Sequence, residues 1–399
     1  MDNLKWIIFL EFRRYDRKIN SMGNNINPFI VEGYISRVYF CDRKNELKIL
    51  HRNVQNRSNT TLISPRKMGK SGLILRYFEE LLLKNSTQSI YIDIYSSRSL
   101  NDFIKLVAEA ILLKFPEKTT TGKKFLKFLK GLRPMISFDP FTGVPQIQIE
   151  YKSPQEKIYT LQGLFTFLEE QNMPIVIAID EFQQISEYPE KNVEAILRTY
   201  IQQLKNIQFI FCGSNKSMMT EMFTHAKRPF FASTRLMYLD KIKGSEYAKF
   251  IRNHFESNKK HINDEALEAI LDLTKSHTFY TQNLCNYIFS MKVKVIDIEV
   301  VKKAMAAILK ENESFFFQYR QLLTSDQWNY MIAVAKEDEV SQVTAQRFIS
   351  KYNIGTPANS RRILKALIEK ELILGNLSTE KSTYQIYDVF LSRWLAVKY

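Results

Sequence analysis

The chain has 399 residues, 45% of them hydrophobic and 25% charged, with only 12 Gly and 11 Pro. That balance provides a real core, excludes a disordered or low-complexity protein, and at roughly 150 residues per domain implies two or three domains. The 57 Lys and Arg against 42 Asp and Glu give a net charge of +15, which favours polyanionic partners such as nucleic acid, nucleotide or a membrane surface and says nothing about fold. Cys41, Cys212 and Cys285 are too widely spaced for a disulfide framework or a zinc site, so a reducing cytoplasm is the expected setting. No apolar run reaches the about 20 residues of a membrane-spanning helix, so stable membrane insertion is not expected. Trp6–Leu10 comes nearest to a hydrophobic leader, but it runs into charged Glu11–Arg14 without a small-residue cleavage pattern. Residues 1–24 are read as an N-terminal extension. It is either an ordinary extra helix or upstream translation before a true start at Met22, and the second reading is preferred.

From Asn25 to Phe40 the pattern is that of a loop with scattered aromatics. Leu47, Ile49 and Leu50, set among charges, predict a short amphipathic helix over Arg43–Asn53. Thr60–Ile63 reads as a strand, the next eight residues as a loop, and a helix then runs to about Leu83. Ser89–Tyr95 alternates as a strand does, and Asn101–Leu113 is helical. Residues 114–133 gather lysines against Glu117 alone. Two alternating runs around Phe141, Thr142 and Gly143 predict an inserted β-hairpin near 134–151. A helix is expected over Tyr159–Gln171, and Pro174–Ile179 has the unbroken apolar form of a strand buried on both faces. A helix over Glu194–Lys205 and strands at Ile207–Cys212 and Leu236–Leu239 complete an α/β pattern over residues 25–244, with a parallel sheet covered by helices on both sides.

Strand signals then stop. Helical spacing covers Glu246–Ser257, Asp264–Thr274, Thr281–Val293 and Ile298–Glu311, a helical module over 245–318. Residues 319–399 read as three helices followed by alternating runs at Leu372–Leu377 and Ser382–Tyr387, which is the order of a winged helix.

The loop after the first strand carries the chemistry. Ser64, Pro65, Arg66, Lys67, Met68, Gly69, Lys70 and Ser71 match the phosphate-loop pattern G-x-x-x-x-G-K-[ST] except for the serine in first place, and Gly72 follows. Gly69 lets backbone N–H groups wrap phosphates, Lys70 reaches the β- and γ-phosphates, Ser71 can ligate Mg²⁺, and the following helix N-terminus attracts anions. The buried strand ends in Asp180 and Glu181: the first can hold the metal and the second can polarise an attacking water. Ser214 and Asn215 follow the next strand, where a γ-phosphate sensor would sit; a simple polar turn is the other reading. The five histidines have no metal-ligand spacing, and no nucleophile triad assembles.

Together these residues resemble AAA+ ATPases, in particular the archaeal and bacterial ATPase_2 branch near the STAND signalling ATPases. Tyr39–Leu47 resembles the lead-in F-x-G-R-E-x-E-L beside the adenine pocket, with Asp42 and Lys44 at its Gly and first Glu. Ser64–Ser71, Ile177–Glu181 and Phe211–Ser214 continue the likeness. Ser276–Tyr280 resembles the lid motif G-H-P-x-Y, with Ser276 and Thr278 in place of Gly and Pro and no arginine. Tyr387–Phe390 with Trp394 resembles the closing Y-x-I-x-D-P-x-F-x-x-W. The resemblance implies ATP and Mg²⁺ bound between core and lid. Arg228 or Arg235 would be the candidate arginine finger if subunits assemble, and both are also readable as ordinary surface arginines.

In the expected winged helix, Leu364, Leu367, Ile368 and Leu372 would form the buried face of the third helix, over Pro357–Glu371. Arg361, Arg362 and Lys365 would then be free for DNA phosphates, and Asn359 or Ser360 for base edges. Basic and acidic residues nearly balance over 324–399, however, and the charge excess lies in the lysine-rich insertion, read as an amphipathic helix with solvated lysines. The expected function is a nucleotide-dependent molecular switch in which Mg-ATP hydrolysis repositions lid and winged helix. The alternatives are a nucleotide-regulated DNA-binding protein, or a scaffold for a protein partner with little turnover.

Overall fold

A computed structural model describes residues 26–84, 87–132, 134–140, 143, 145–151, 153–376 and 382–399. The expected N-terminal extension, Arg133, the hairpin residues Phe141 and Thr142, and Leu377 lie outside the described residues. The chain forms two compact units. One is Glu32–Lys241; the other joins Asn27–Val31 to Ile242–Tyr399.

In the first unit, helix α1 (Lys44–Gln55) leads to strand β1 (Thr60–Ile63), and helix α2 (Lys70–Leu83) starts directly after the phosphate-loop residues. Strand β2 (Gln88–Asp93) and helix α3 (Leu100–Lys114) precede the insertion, which is helix α4 (Thr120–Lys130) and the antiparallel pair β3 (Pro134–Phe138) and β4 (Pro145–Ile149). The insertion is amphipathic: Phe125 and Leu129 are wholly buried, while Lys123, Lys124, Lys127 and Lys130 face solvent. Helix α5 (Pro154–Glu169) starts five residues before the periodicity suggests, because Ser153 accepts the Glu156 N–H as N-cap and Pro154 occupies the first turn.

Strand β5 (Ile175–Asp180) is buried at every residue and ends in a 3₁₀ turn, Phe182–Glu187. Helix α6 (Val193–Ile201) stops short of Lys205, because the Glu169 carboxylate takes the Lys205 and Asn206 N–H groups at 3.0 and 3.1 Å and turns the chain into strand β6 (Ile207–Gly213). Helix α7 (Lys216–Thr224) and strand β7 (Arg235–Tyr238) close the unit. The sheet order is β2-β5-β6-β1-β7, every pair parallel. Strand β6 therefore stands between β1 and β5, and the register Ile63↔Gly213 and Ile179↔Phe211 brings all three C-terminal ends to one edge. Behind that edge Phe182, Phe211, Phe223 and Phe230 pack with ring centroids 4.5–5.9 Å apart.

The second unit contains helices α8 (Gly244–Ser257), α9 (Asp264–Leu273), α10 (Thr278–Ser290) and α11 (Ile298–Glu311), with a short parallel pair β8 (His261–Ile262) and β9 (Val295–Ile296). Asn27–Val31, expected as plain loop, is part of this packing. Phe29 is wholly buried against Phe255, centroids 4.7 Å apart, and Asn286 donates to the Phe29 carbonyl at 2.7 Å while Asn27 donates to the Asn286 carbonyl at 2.9 Å. Helix α12 (Glu313–Leu322) leads into the winged helix: α13 (Ser325–Glu337), α14 (Gln346–Lys351), α15 (Pro357–Glu369), then the wing β10 (Ile373–Asn376) and β11 (Thr383–Ile386). A bridge between Val340 and Tyr384 extends the wing. A last helix, α16 (Val389–Lys398), which the sequence pattern did not reveal, seats Trp394 against Phe316 and Phe317 at 5.5 and 5.0 Å.

Two expectations for α15 are corrected. Ser360 is wholly buried and bonded to Val343 O and the Tyr330 hydroxyl, so it is spent on the core and does not face a ligand. Ile368 is 39% exposed, because the buried stripe is Ile363, Leu364 and Leu367. Asn359 donates to the Ile354 carbonyl at 2.9 Å and steadies the helix entry.

Candidate functional site

The loop between β1 and α2 is shaped by its backbone. Gly69, with φ of +91°, sits as the α2 N-cap in the left-handed region, and Lys67, with φ of +64°, does so without glycine's freedom. Ser64, which stands where the pattern has glycine, has no positive φ and is 1% exposed; its Oγ donates to the Pro65 carbonyl at 2.8 Å. A serine therefore fits there without strain. Two other positions where the family pattern carries glycine do keep left-handed backbone: Asp42 at φ +53° and Ser276 at φ +51°. Met68 is buried and anchors the loop, whereas Arg66 and Lys67 are exposed. Arg43, itself buried, donates to Met68 O at 3.4 Å, Glu46 at 2.9 Å and Asp240 O at 2.6 Å.

The ends of β1, β5 and β6 bring the sequence-predicted residues together. Ser71 Oγ donates to Asp180 Oδ2 at 2.8 Å, and the Glu181 N–H donates to Asp180 Oδ1 at 3.0 Å. Lys70 is buried, with its Nζ 3.8 Å from Glu181 Oε1. The other Glu181 oxygen, Oε2, accepts from Ser214 Oγ at 2.7 Å and Gln183 Nε2 at 2.6 Å. Glu181 itself has φ of +56°, a conformation that costs a non-glycine residue about 1–3 kcal/mol and persists where surroundings over-determine it. Gly213 makes room for this arrangement, since a Cβ there would lie 2.4 Å from Gln183 Oε1.

Two contributors were not legible as site residues. Gln183 falls in a turn with no motif. Tyr91, read only as part of an alternating strand, donates its phenol to Asp180 Oδ2, and burial together with the Asp180 and Asp93 carboxylates pushes its ionisation far above the usual tyrosine range. Asn215 turns out to be the α7 N-cap, accepting the Met218 N–H at 3.1 Å.

The donor set suits Mg²⁺: a hydroxyl and a carboxylate, both hard oxygen ligands. Among the described residues no group of three or more His, Cys, Asp or Glu could hold a metal by itself, so a cation at Ser71 and Asp180 would draw its remaining oxygens from phosphate and water, as Mg²⁺ commonly does.

Other candidates lie elsewhere. Arg228 is bound within its own chain, to Glu194 at 2.5 Å, Glu221 at 3.3 Å and Ser186 at 3.3 Å. Arg235 is exposed and pairs in register with Thr60, at the opposite end of β1 from the loop. On α15, Arg361 and Lys365 line an open groove of about 860 Å³ with Ser382 and Tyr384. Arg362 donates to Asn359 Oδ1 at 2.9 Å. Cys41, Cys212 and Cys285 are buried and form no disulfide.

A parallel sheet in which one strand stands between the phosphate-loop strand and the one ending in Asp180 and Glu181 is a fold of P-loop nucleoside triphosphatases, AAA+ ATPases among them. The chain belongs to the family described as "ATPase domain predominantly from Archaea", whose profile matches residues 40–284. Residues 314–397 match a second profile, "Probable winged helix domain". Among solved structures, the Walker-type ATPase PABY2304 of Pyrococcus abyssi is similar at TM-score 0.62 and 17% identity, over 92% of this chain and 99% of that one. The ORC2 protein of Aeropyrum pernix, in ADPNP–ADP complexes, is similar at TM-score 0.58 and 15% identity, over 93% and 98%. No curated protein sequence matches this chain.

Proposed function

We propose that this ATPase works as a nucleotide-dependent switch, in which hydrolysis of Mg-ATP changes the disposition of the second unit and its winged helix. The observation that carries the ATPase chemistry is the convergence of Lys70, Ser71, Asp180, Glu181 and Ser214 on one sheet edge. Lys70 would neutralise phosphate charge. Glu181 Oε2 is held by Ser214 and Gln183, and Oε1, which faces Lys70 Nζ at 3.8 Å, would orient a water toward the terminal phosphate once Lys70 engages the nucleotide. Mg²⁺ held by Ser71 and Asp180 would supply charge neutralisation at the phosphate oxygens.

The switch is supported by Arg43. One guanidinium grips both the loop carbonyl of Met68 and the carbonyl of Asp240, just before the chain passes from Lys241 into the second unit. A change in loop conformation thus reaches the connection directly. No described helix is long and apolar enough to cross a membrane, and a cytoplasmic setting remains our reading.

The test uses a fluorescent ATP analogue with Mg²⁺ and phosphate release measured in the same samples. Lys70→Ala should abolish binding; Glu181→Gln should keep binding and lose release. Identical scattering profiles and protease patterns with ADP and a non-hydrolysable ATP analogue would sink the switch.

A second reading, nucleotide-regulated DNA binding, is favoured by the outward Arg361, Arg362 and Lys365 of α15. It requires that Arg361→Ala and Lys365→Ala each lower the salt dependence of DNA affinity by about one unit of slope. Salt-independent or absent DNA binding would eliminate it and leave a protein partner as the target.

A further inference from the structure

Asp180 is gripped from three directions. Its Oδ1 accepts the Glu181 N–H at 3.0 Å, and its Oδ2 accepts both Ser71 Oγ, at 2.8 Å, and the Tyr91 phenol. Tyr91 lies on β2, beside β5, in register with Ala178, and its ring belongs to the core layer shared with Leu73, Ile74 and Tyr77 of α2. The phenol therefore reaches the carboxylate from within the core, while Ser71 reaches it from the phosphate loop.

We propose that Tyr91 is a positioning residue for the metal site: its hydroxyl fixes the Asp180 carboxylate so that a divalent cation bound at Ser71 meets it already oriented. This rests on the reading of the site as one for Mg²⁺ and ATP. Packing alone does not call for a tyrosine, since phenylalanine would fill the same space, and a buried hydroxyl is costly unless it is bonded. Here the bond is to the one carboxylate oxygen that also bonds the metal-ligating serine. If Ser71 turns to ligate a cation, the phenol is the side-chain donor that stays on Oδ2. A carboxylate rotates readily about its last torsion, so without the phenol, and with Ser71 turned to the cation, only the Glu181 N–H on Oδ1 would hold it. Hydrogen bonds of this kind behind a metal-ligating group are commonly worth a large factor in metal affinity.

The test is Tyr91→Phe in the full chain, with Mg²⁺ titrated against a fixed concentration of fluorescent ATP analogue. The half-saturating Mg²⁺ concentration should rise roughly 10- to 100-fold, with metal-free analogue affinity unchanged. Repeating the substitution in an Asp180→Ala background should add nothing further, because without the carboxylate the phenol has no group to position. A Mg²⁺ titration that superimposes on the wild type overturns the proposal. So does an equal loss of metal-free affinity, which would make the phenol a prop for the loop, or an additive effect in the double variant. A wild-type protein whose nucleotide binding ignores Mg²⁺ would instead overturn the reading of the site itself.

Discussion

Ser214 Oγ donates to Glu181 Oε2 at 2.7 Å, joining the end of β6 to the end of β5 across the nucleotide site. The residue proposed as a phosphate sensor is thus bonded to the residue proposed to orient water. Ser214→Ala removes a hydrogen bond to a charged group, worth about 1.5–3 kcal/mol. Phosphate release should fall by roughly 10- to 100-fold by that measure, with nucleotide affinity unchanged in a direct binding titration. A variant that loses affinity and keeps its turnover would mean that Ser214 contacts ground-state nucleotide and does not act through Glu181.

Arg43 provides the mechanical test of the switch. Arg43→Ala frees both Met68 O and Asp240 O from the guanidinium. Nucleotide should still bind, but the difference between ADP-bound and ATP-analogue-bound scattering profiles should shrink or vanish. A variant with the full wild-type difference would show that loop and connection communicate by another route.

Partly buried Glu109 predicts a pH effect on stability. Burial raises its pKa above the usual carboxylate value, against the opposing pull of the Ile147 N–H and Lys105. The folded state then holds the proton more tightly than the unfolded state, so this residue's contribution is most favourable below the unfolded value and is lost as pH rises through the folded one. Glu109→Gln keeps an acceptor for Ile147 and removes the charge. Urea midpoints should therefore be higher in the variant at pH 8 and converge with the wild type near pH 4, about the unfolded carboxylate value. A lower midpoint at pH 8 would show that the ionised carboxylate stabilises the fold.

Phe29 anchors an N-terminal stretch in the helical unit, wholly buried among Phe250, Phe255 and Phe289. Phe29→Ala should cost that unit about 3–5 kcal/mol, the usual range for truncating a buried phenylalanine. Urea unfolding followed by tryptophan fluorescence would measure it, since Trp328 and Trp394 both lie in the same unit. An unchanged transition would mean that the stretch adds nothing to the unit's stability.

A parallel sheet, its doubly buried strand β5 and the phosphate loop are legible in the sequence alone. Those features are written in local signals: the apolar run Ile175–Ile179, the glycine and lysine of the loop, and the paired acids after the strand. It also displayed the order of the winged helix, because helix and strand periods differ along a single segment. The start of α5 is also written locally, in the Ser153 cap and Pro154. Which side chain meets which depends on the folded arrangement of the strands and helices. Gln183 and Tyr91 carry no motif and join the site because β2, β5 and β6 lie side by side, a pairing between residues far apart in the chain. Ser360 and Ile368 exchanged their expected roles because a helix's buried stripe is set by what it packs against. Asn27–Val31 has no regular pattern at all, and its place was fixed by one phenylalanine finding an aromatic pocket more than two hundred residues away. Local propensity writes elements into sequence; burial and hydrogen-bond partners across the chain write the site.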